Sequence, residues 1–299
     1  MIRFGALEAG GTKMVLSLMS EEGEMLERVS MPTLTPAETM PKMIAFFKER
    51  NISALGIGCF GPVDLNPASP TYGYITSTPK LAWRNYPIVP EFKAALNVPV
   101  KLDTDVNGAA IAEHALGAAK GLSSCVYVTV GTGIGGGVIM NDKPVHGLVH
   151  PEFGHQLMRA IADDPTPEGF CPYHKGCLEG VANGPALQKR WGCPAVELPP
   201  EHPAWDLEAG YLAQMCMNAM VILSPEKIIL GGGVMRQRQL FPLIRSEVRR
   251  MMGGYLAAEE LNDLDTYIVP ESLDGDQGIL GSLCLGAAEW AREHGGREA

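Results

Sequence analysis

"SCVYVTVGTGIGGGVIM", residues 124–140, is a β-branched run, a glycine-rich bend and a second apolar run. Its centre, "GTGIGG" at 131–136, matches the G-x-G-x-x-G pattern of a dinucleotide-binding turn. That turn needs a helix after it, because the pyrophosphate rests on the helix N-terminus. Here "VIMNDKPV" follows, which continues as strand and turn, and no acidic residue closes a second strand at the required distance. The stretch therefore predicts a strand–bend–strand hairpin, not a Rossmann opening. The same layout begins the chain, where "IRFGALEAG" runs into "GTKMVLSLMS" with Gly10 and Gly11 at the bend. Each copy is followed later by strand and helix. This weak internal repeat predicts two α/β domains of related plan.

No G-x-x-x-x-G-K-[ST] phosphate loop occurs anywhere in the chain. Two bends remain, with small hydroxyl residues, Thr12 and Thr132, beside backbone N–H groups, and "GGG" at 231–233 follows another strand. Any one such loop is explained by a tight hairpin alone. Three together point to concave amide nests that hold phosphate oxygens, and so to nucleotide binding.

Between these loops the chain alternates strands and helices. "TPAE" at 35–38 is a capping box with Pro36 at the first helical position, opening a helix through Phe46 and Phe47. "ALGIGCFGPVD" and "VPVKLDTD" read as strands, and the Ala-rich "VNGAAIAEHALGAAKG" as a helix ending at Gly121. Further helices are expected over "GPALQKRWG", "WDLEAGYLAQMCMNAMVILS", after Pro242 and over "GILGSLCLGAAEWAREHG", with the tail "GREA" frayed.

The 299 residues carry 24 Lys plus Arg against 34 Asp plus Glu, a formal charge of −10, which disfavours a phosphate-backbone partner. Arg236, Arg238, Arg245, Arg249 and Arg250 are spaced as a solvated helix face. No apolar run approaches the ~18–20 residues of a membrane span, and residues 1–20 lack a signal-peptide layout, so a cytoplasmic protein is expected. Of seven cysteines, Cys59, Cys125, Cys193, Cys216 and Cys284 lie in apolar surroundings and read as small core residues. The other two belong to "GFCPYHKGCLEG" at 169–180, where Cys171, His174 and Cys177 are three soft ligands within seven residues. Three are too few for a closed metal site, and a reduced cysteine pair in a loop is the alternative.

"EAGGTK" at 8–13, "DTDVNGAA" at 103–110, "GTGIGGG" at 131–137, "HPEFGH" at 150–155, "CPYHKGCLEG" at 171–180 and "LGGGV" at 230–234 together resemble the ROK family of sugar kinases and related repressors. The resemblance runs from about residue 4 to residue 290, and "EAGGTK" with "STPKLAWRNYP" at 77–87 is similar to the fructokinase branch. It implies an α/β, two-domain actin-like ATPase (ribonuclease H-like) fold with a cleft between domains. The boundaries expected are 1–118 plus 281–299 for an N-terminal domain and 119–280 for a larger domain carrying the metal loop.

The resemblance also implies roles. His155 supplies the fourth ligand beside Cys171, His174 and Cys177, and four ligands saturate a structural zinc. Glu152 and Glu179, flanking that loop, are expected to bind sugar hydroxyls, with His155, Gly61 and Pro62 close to the sugar. Asp105 suits either a plain helix cap or a general base; the match at "DTDVN" assigns the base, with Asp103 outside the reacting centre. Thr104 stands where many relatives have Asn, which alters one sugar contact. Thr12, Lys13, Thr132 and Gly133 are expected around the ATP phosphates, Gly231, Gly232, Gly233 and Pro185 beside the adenosine, and Mg²⁺ near Glu8, which replaces the usual Asp. The implied activity is ATP-dependent phosphorylation of D-fructose to fructose 6-phosphate by a homodimer. The alternatives are a kinase for mannose or glucose, and a sugar-responsive regulator without catalysis. A regulator would carry an N-terminal helix-turn-helix, and the first glycine bend here follows residue 8.

Overall fold

The computed structural model describes residues 2–295; the tail "GREA" lies outside the described residues. The chain divides into two compact units, Met1–Ala112 with Val145–His150 and Asp276–Ala299, and Glu113–Pro144 with Pro151–Gly275.

The first unit is built on a five-stranded sheet of β1 (Arg3–Ala9), β2 (Lys13–Ser20), β3 (Met25–Pro32), β4 (Ala54–Cys59) and β5 (Val100–Thr104), in the order β3-β2-β1-β4-β5. β1, β2 and β3 form an antiparallel meander, and β4 and β5 add in parallel. Strand alternation sorts the side chains of β1 onto two faces. Leu7 and Ala9 pack with Met43 and Phe47 of α1 (Pro36–Glu49) and Phe92 of α2 (Ile88–Leu96). Phe4 and Ala6 meet Ile279 and Leu283 of α9 (Gln277–Glu293) on the other face. Gly56 in β4 is what lets that last helix come close. A Cβ there would collide with the Ser282 carbonyl and the Gly286 amide.

The second unit repeats the plan. β6 (Cys125–Val130), β7 (Ile134–Met140) and β8 (Lys143–Pro144) form the meander, and β9 (Ile228–Gly231) and β10 (Ile268–Pro270) add in parallel, in the order β10-β9-β6-β7-β8. Read from the other edge, this is the order of the first sheet, strand for strand. The helices here are α4 (Leu178–Ala182), α5 (Gly184–Trp191), α6 (Ala204–Ile222), α7 (Leu240–Met252) and α8 (Leu264–Tyr267).

Local expectations hold where local chemistry decides them. Thr35, Pro36 and Glu38 open α1 as a full capping box. The Ala-rich helix α3 (Asp105–Ala115) stops six residues before Gly121, because the Glu113 carboxylate accepts from the Ala118 N–H at 2.8 Å and turns the chain. Cys59, Cys125 and Cys216 are buried, whereas Cys193 and Cys284 are only half-buried. In the arginine cluster, Arg245 pairs with Asp265 and Arg250 with Glu247, so these charges serve their own surface. Among the described residues no helix is long and apolar enough to cross a membrane.

Candidate functional site

In the first unit the bend after β1 is closed by the Gly10 N–H donating to the Lys13 carbonyl at 3.0 Å, which leaves Thr12 and Lys13 exposed. Thr33 braces it from β3's end: its N–H donates to the Thr12 carbonyl at 3.0 Å and its hydroxyl to the Gly10 carbonyl at 2.7 Å. Under the bend, the Glu8 carboxyl lies against the first turn of α9, where a Cβ on Gly278 would come 2.8 Å from its carboxyl carbon. Burial pushes the Glu8 carboxyl up, and Lys13 and Arg28 pull it back. Mg²⁺ is held by one or two carboxylates together with phosphate oxygens and water, so one half-buried carboxylate below an amide bend fits that ion.

Asp105 opens α3. Its neighbour Thr104, not Asp105, is the cap: the Thr104 hydroxyl accepts the Asn107 N–H at 3.0 Å. Asp105 thus occupies the first helical position, half-buried, with one oxygen accepting the Val106 N–H at 2.9 Å. The helix N-terminus favours its ionised form. Gly61 and Pro62, joined by a cis peptide bond, form the loop after β4. That loop is backed by His150, which accepts the Val63 N–H at 3.4 Å.

Asp103 plays a different part from its neighbour. It is buried, and one oxygen accepts the Thr104 N–H and the Asn107 side-chain amide, both at 2.7 Å, while the other pairs with His146 at 2.9 Å. This pair fastens residues 145–150 to the first unit. Asp103→Asn is therefore no silent comparison for Asp105, since its amide would oblige His146 to accept. Asp103→Ala strands buried donors, and each lost partner costs about 1–3 kcal/mol. We expect a lowered urea midpoint for Asp103→Ala; wild-type stability would show that the Asp103 hydrogen bonds to Thr104, Asn107 and His146 contribute nothing.

In the second unit, Thr132 and Gly133 form the bend after β6, with Thr132 exposed. Three groups converge on it. The Glu179 carboxylate accepts the Ile134 N–H at 2.9 Å. Asn183 donates to the Thr132 carbonyl at 3.0 Å while capping α5 through Ala186 at 2.7 Å, and Pro185 stands in that helix's first turn. The Gly184 N–H donates to the Gly131 carbonyl at 2.8 Å. Gly231 ends β9, and Gly232 and Gly233 follow it. Gly232 has φ +91°, and its N–H donates to Glu271 at 3.2 Å.

His155, Cys171, His174 and Cys177 come together, with their ligand atoms all within 4.8 Å of one another. Cys177 Sγ lies 3.8 Å from His155 Nδ1, and Cys171 Sγ lies 3.8 Å from His174 Nδ1. Ligands at zinc's ordinary bond lengths sit about 3.3–3.8 Å apart at the corners of a tetrahedron. The four residues fit that ion. Burial, with Cys171 alongside, pushes the Cys177 thiol up to about 11, a cost that a bound cation would reverse. Backbone pairing between Met158 and Gly176 (2.8 Å) and between Leu178 and Gln156 (3.0 Å) brings the two ends of the loop together. Glu152 lies at the near end, exposed, and its carbonyl accepts the His155 N–H at 3.0 Å.

Two sheets of one strand order, each opening on a glycine hairpin, define the two-domain actin-like ATPase fold. The chain belongs to the ROK family, whose sequence profile matches residues 4–289. It is 44% identical over 284 residues to a fructokinase of Pediococcus pentosaceus, covering 95% of this chain and 97% of that one. It is 43% identical over 293 residues to a fructokinase of Zymomonas mobilis, covering 95% and 96%. Among solved structures, the ROK hexokinase of Thermus thermophilus is similar with a TM-score of 0.76 at 26% identity, covering 99% of this chain and 100% of that chain.

Proposed function

We propose that this protein is a fructokinase, transferring the γ-phosphoryl group of ATP to the 6-hydroxyl of D-fructose. The observation that carries the reading is near full-length similarity to proteins of that name, in a chain that has the acidic residues, glycine bends and Cys/His cluster described above.

Phosphoryl transfer asks mainly for alignment and charge neutralisation. Thr12, Lys13, Thr132 and Gly133 hold the phosphates, and Gly231, Gly232, Gly233 and Pro185 border the adenosine. Glu8, together with phosphate oxygens, would hold Mg²⁺, whose chemistry there would be to neutralise phosphate charge. Glu152 and Glu179 accept from sugar hydroxyls, with His155, Gly61 and Pro62 beside the ring. Glu179 is oriented for this by the Ile134 N–H, and a carboxylate held in place reads a diol better than a mobile one. Asp105 accepts the hydroxyl proton as the new O–P bond forms and the bond to ADP breaks. His155, Cys171, His174 and Cys177 would hold a structural zinc, since four protein ligands would leave no open position for water or substrate. The working form is a cytoplasmic homodimer, which light scattering on the purified protein would check.

A hexose panel with ATP tests the reading. The expected order of kcat/KM is fructose above mannose and glucose, because hydroxyl-reading sites discriminate through the groups they contact. Glucose outperforming fructose would overturn the fructose assignment and leave a hexokinase.

A further inference from the structure

Lys80 lies in the "STPK" stretch between β4 and α2, far in sequence from the first glycine bend. In space its side chain runs across that bend. A Cβ added to Gly11 would stand 3.1 Å from Lys80 Cε, so the ammonium, one bond further on, is carried to the rim of the loop that Gly10, Gly11 and Thr12 form.

The backbone that delivers it is fixed from several directions. The Lys80 N–H donates to the hydroxyl of buried Thr78 at 3.3 Å, and the Lys80 carbonyl accepts the Trp83 N–H at 2.8 Å. Trp83, 1% exposed, donates its indole N–H to the Leu34 carbonyl at 2.7 Å. Residue 33, next along, is the one that braces Gly10 and Thr12. Lys80 and the bend are thus tied to one short segment, 33–34, and their spacing is set by the fold. The head group itself is uncommitted: Lys80 is half-exposed and makes no ion pair among the described residues. A stem laid across the glycine bend, a braced backbone and an ammonium outside any ion pair among the described residues are what an anion site requires.

We propose that Lys80 is a phosphate-binding residue, whose ammonium holds the transferred phosphoryl group against the Gly10–Thr12 bend. The inference rests on the kinase reading for its substrate. Its chemistry, a point charge on a phosphoryl oxygen, serves equally for the γ-phosphoryl of ATP and for the same group once on the sugar. A cation placed where charge is redistributed in the transition state lowers the barrier more than it tightens ground-state binding.

Lys80→Met keeps the stem and removes the charge; Lys80→Arg keeps the charge. With ATP and fructose, Lys80→Met should lose about 10²-fold in kcat, and Lys80→Arg should recover part of it. The KM for fructose should change less than threefold. By calorimetry, Lys80→Met should lose about tenfold or more of the preference for Mg-AMPPNP over Mg-ADP, as expected for one charged contact to the terminal phosphate. An unchanged melting temperature would certify the fold. Turnover within threefold of wild type together with an unchanged nucleotide preference would overturn the proposal. So would a raised fructose KM at constant kcat, which would place Lys80 on the sugar. The binding arm reads Lys80 even if wild-type protein fails to phosphorylate fructose, so the two readings fall separately.

Discussion

Asp105→Asn is expected to lower kcat by about 10²–10⁴-fold, the usual contribution of a general base, with fold and zinc content unchanged. The structure makes this a clean substitution. Helix α3 is capped by Thr104, so the change at the next residue removes a proton acceptor without removing the cap. Asparagine keeps the oxygen that meets the Val106 N–H, at 2.9 Å in the wild type. It also removes a negative charge next to buried Cys59, whose thiol is pushed up by burial and then by Asp105. ATP affinity should move little, because the phosphates are assigned to the glycine bends and Mg²⁺. Steady-state kinetics with calorimetric ATP binding checks both halves. Retention of more than about a tenth of wild-type kcat, well above the range for a lost base, would remove Asp105 from that role.

Cys177→Ser has the second large expected effect. Purified wild type should carry about one zinc per chain, as one closed tetrahedral site requires, and the variant essentially none. Structural zinc contributes directly to folding energy, so a drop of roughly 10 °C in Tm is the expected scale. The sugar KM should rise as well, for a reason visible in the chain path. Glu179 follows Cys177 by two residues in α4, and Glu152 precedes His155 by three. Once the loop is unfastened, neither carboxylate keeps its orientation. Elemental analysis, a thermal melt and the fructose KM together test the account. A zinc-free preparation with full activity and unchanged Tm would defeat the idea that the metal staples the sugar-binding loop.

Much of this was legible in the sequence because it is local. The capping box at 35–38 contains its own hydrogen bonds, and a β-branched run on either side of glycines can hardly be anything but a hairpin. The Cys-His-Cys cluster carries its spacing with it. What escaped was decided by partners distant in sequence. Helix α3 ends at Ala115 because the Glu113 carboxylate, which accepts the nearby Ala118 N–H, is held by Ser272, 159 residues on, at 2.7 Å from both its N–H and its hydroxyl. No alanine-rich composition displays that. Thr104 and Asp105 are both good caps, and only the backbone path chooses between them. The part Asp103 plays is set by His146, 43 residues on, which pairs with it. Lys80 belongs to the same class, since the glycine it covers is 69 residues away.

The central claim is a specific transfer, from ATP to the sixth hydroxyl of fructose. Phosphorus and carbon NMR of a reaction containing ATP, Mg²⁺ and D-fructose tests it most directly. The account predicts fructose 6-phosphate and ADP in equal amounts, with no ADP formed when fructose is left out. Phosphate on another hydroxyl, or ADP release indifferent to the sugar, would contradict it.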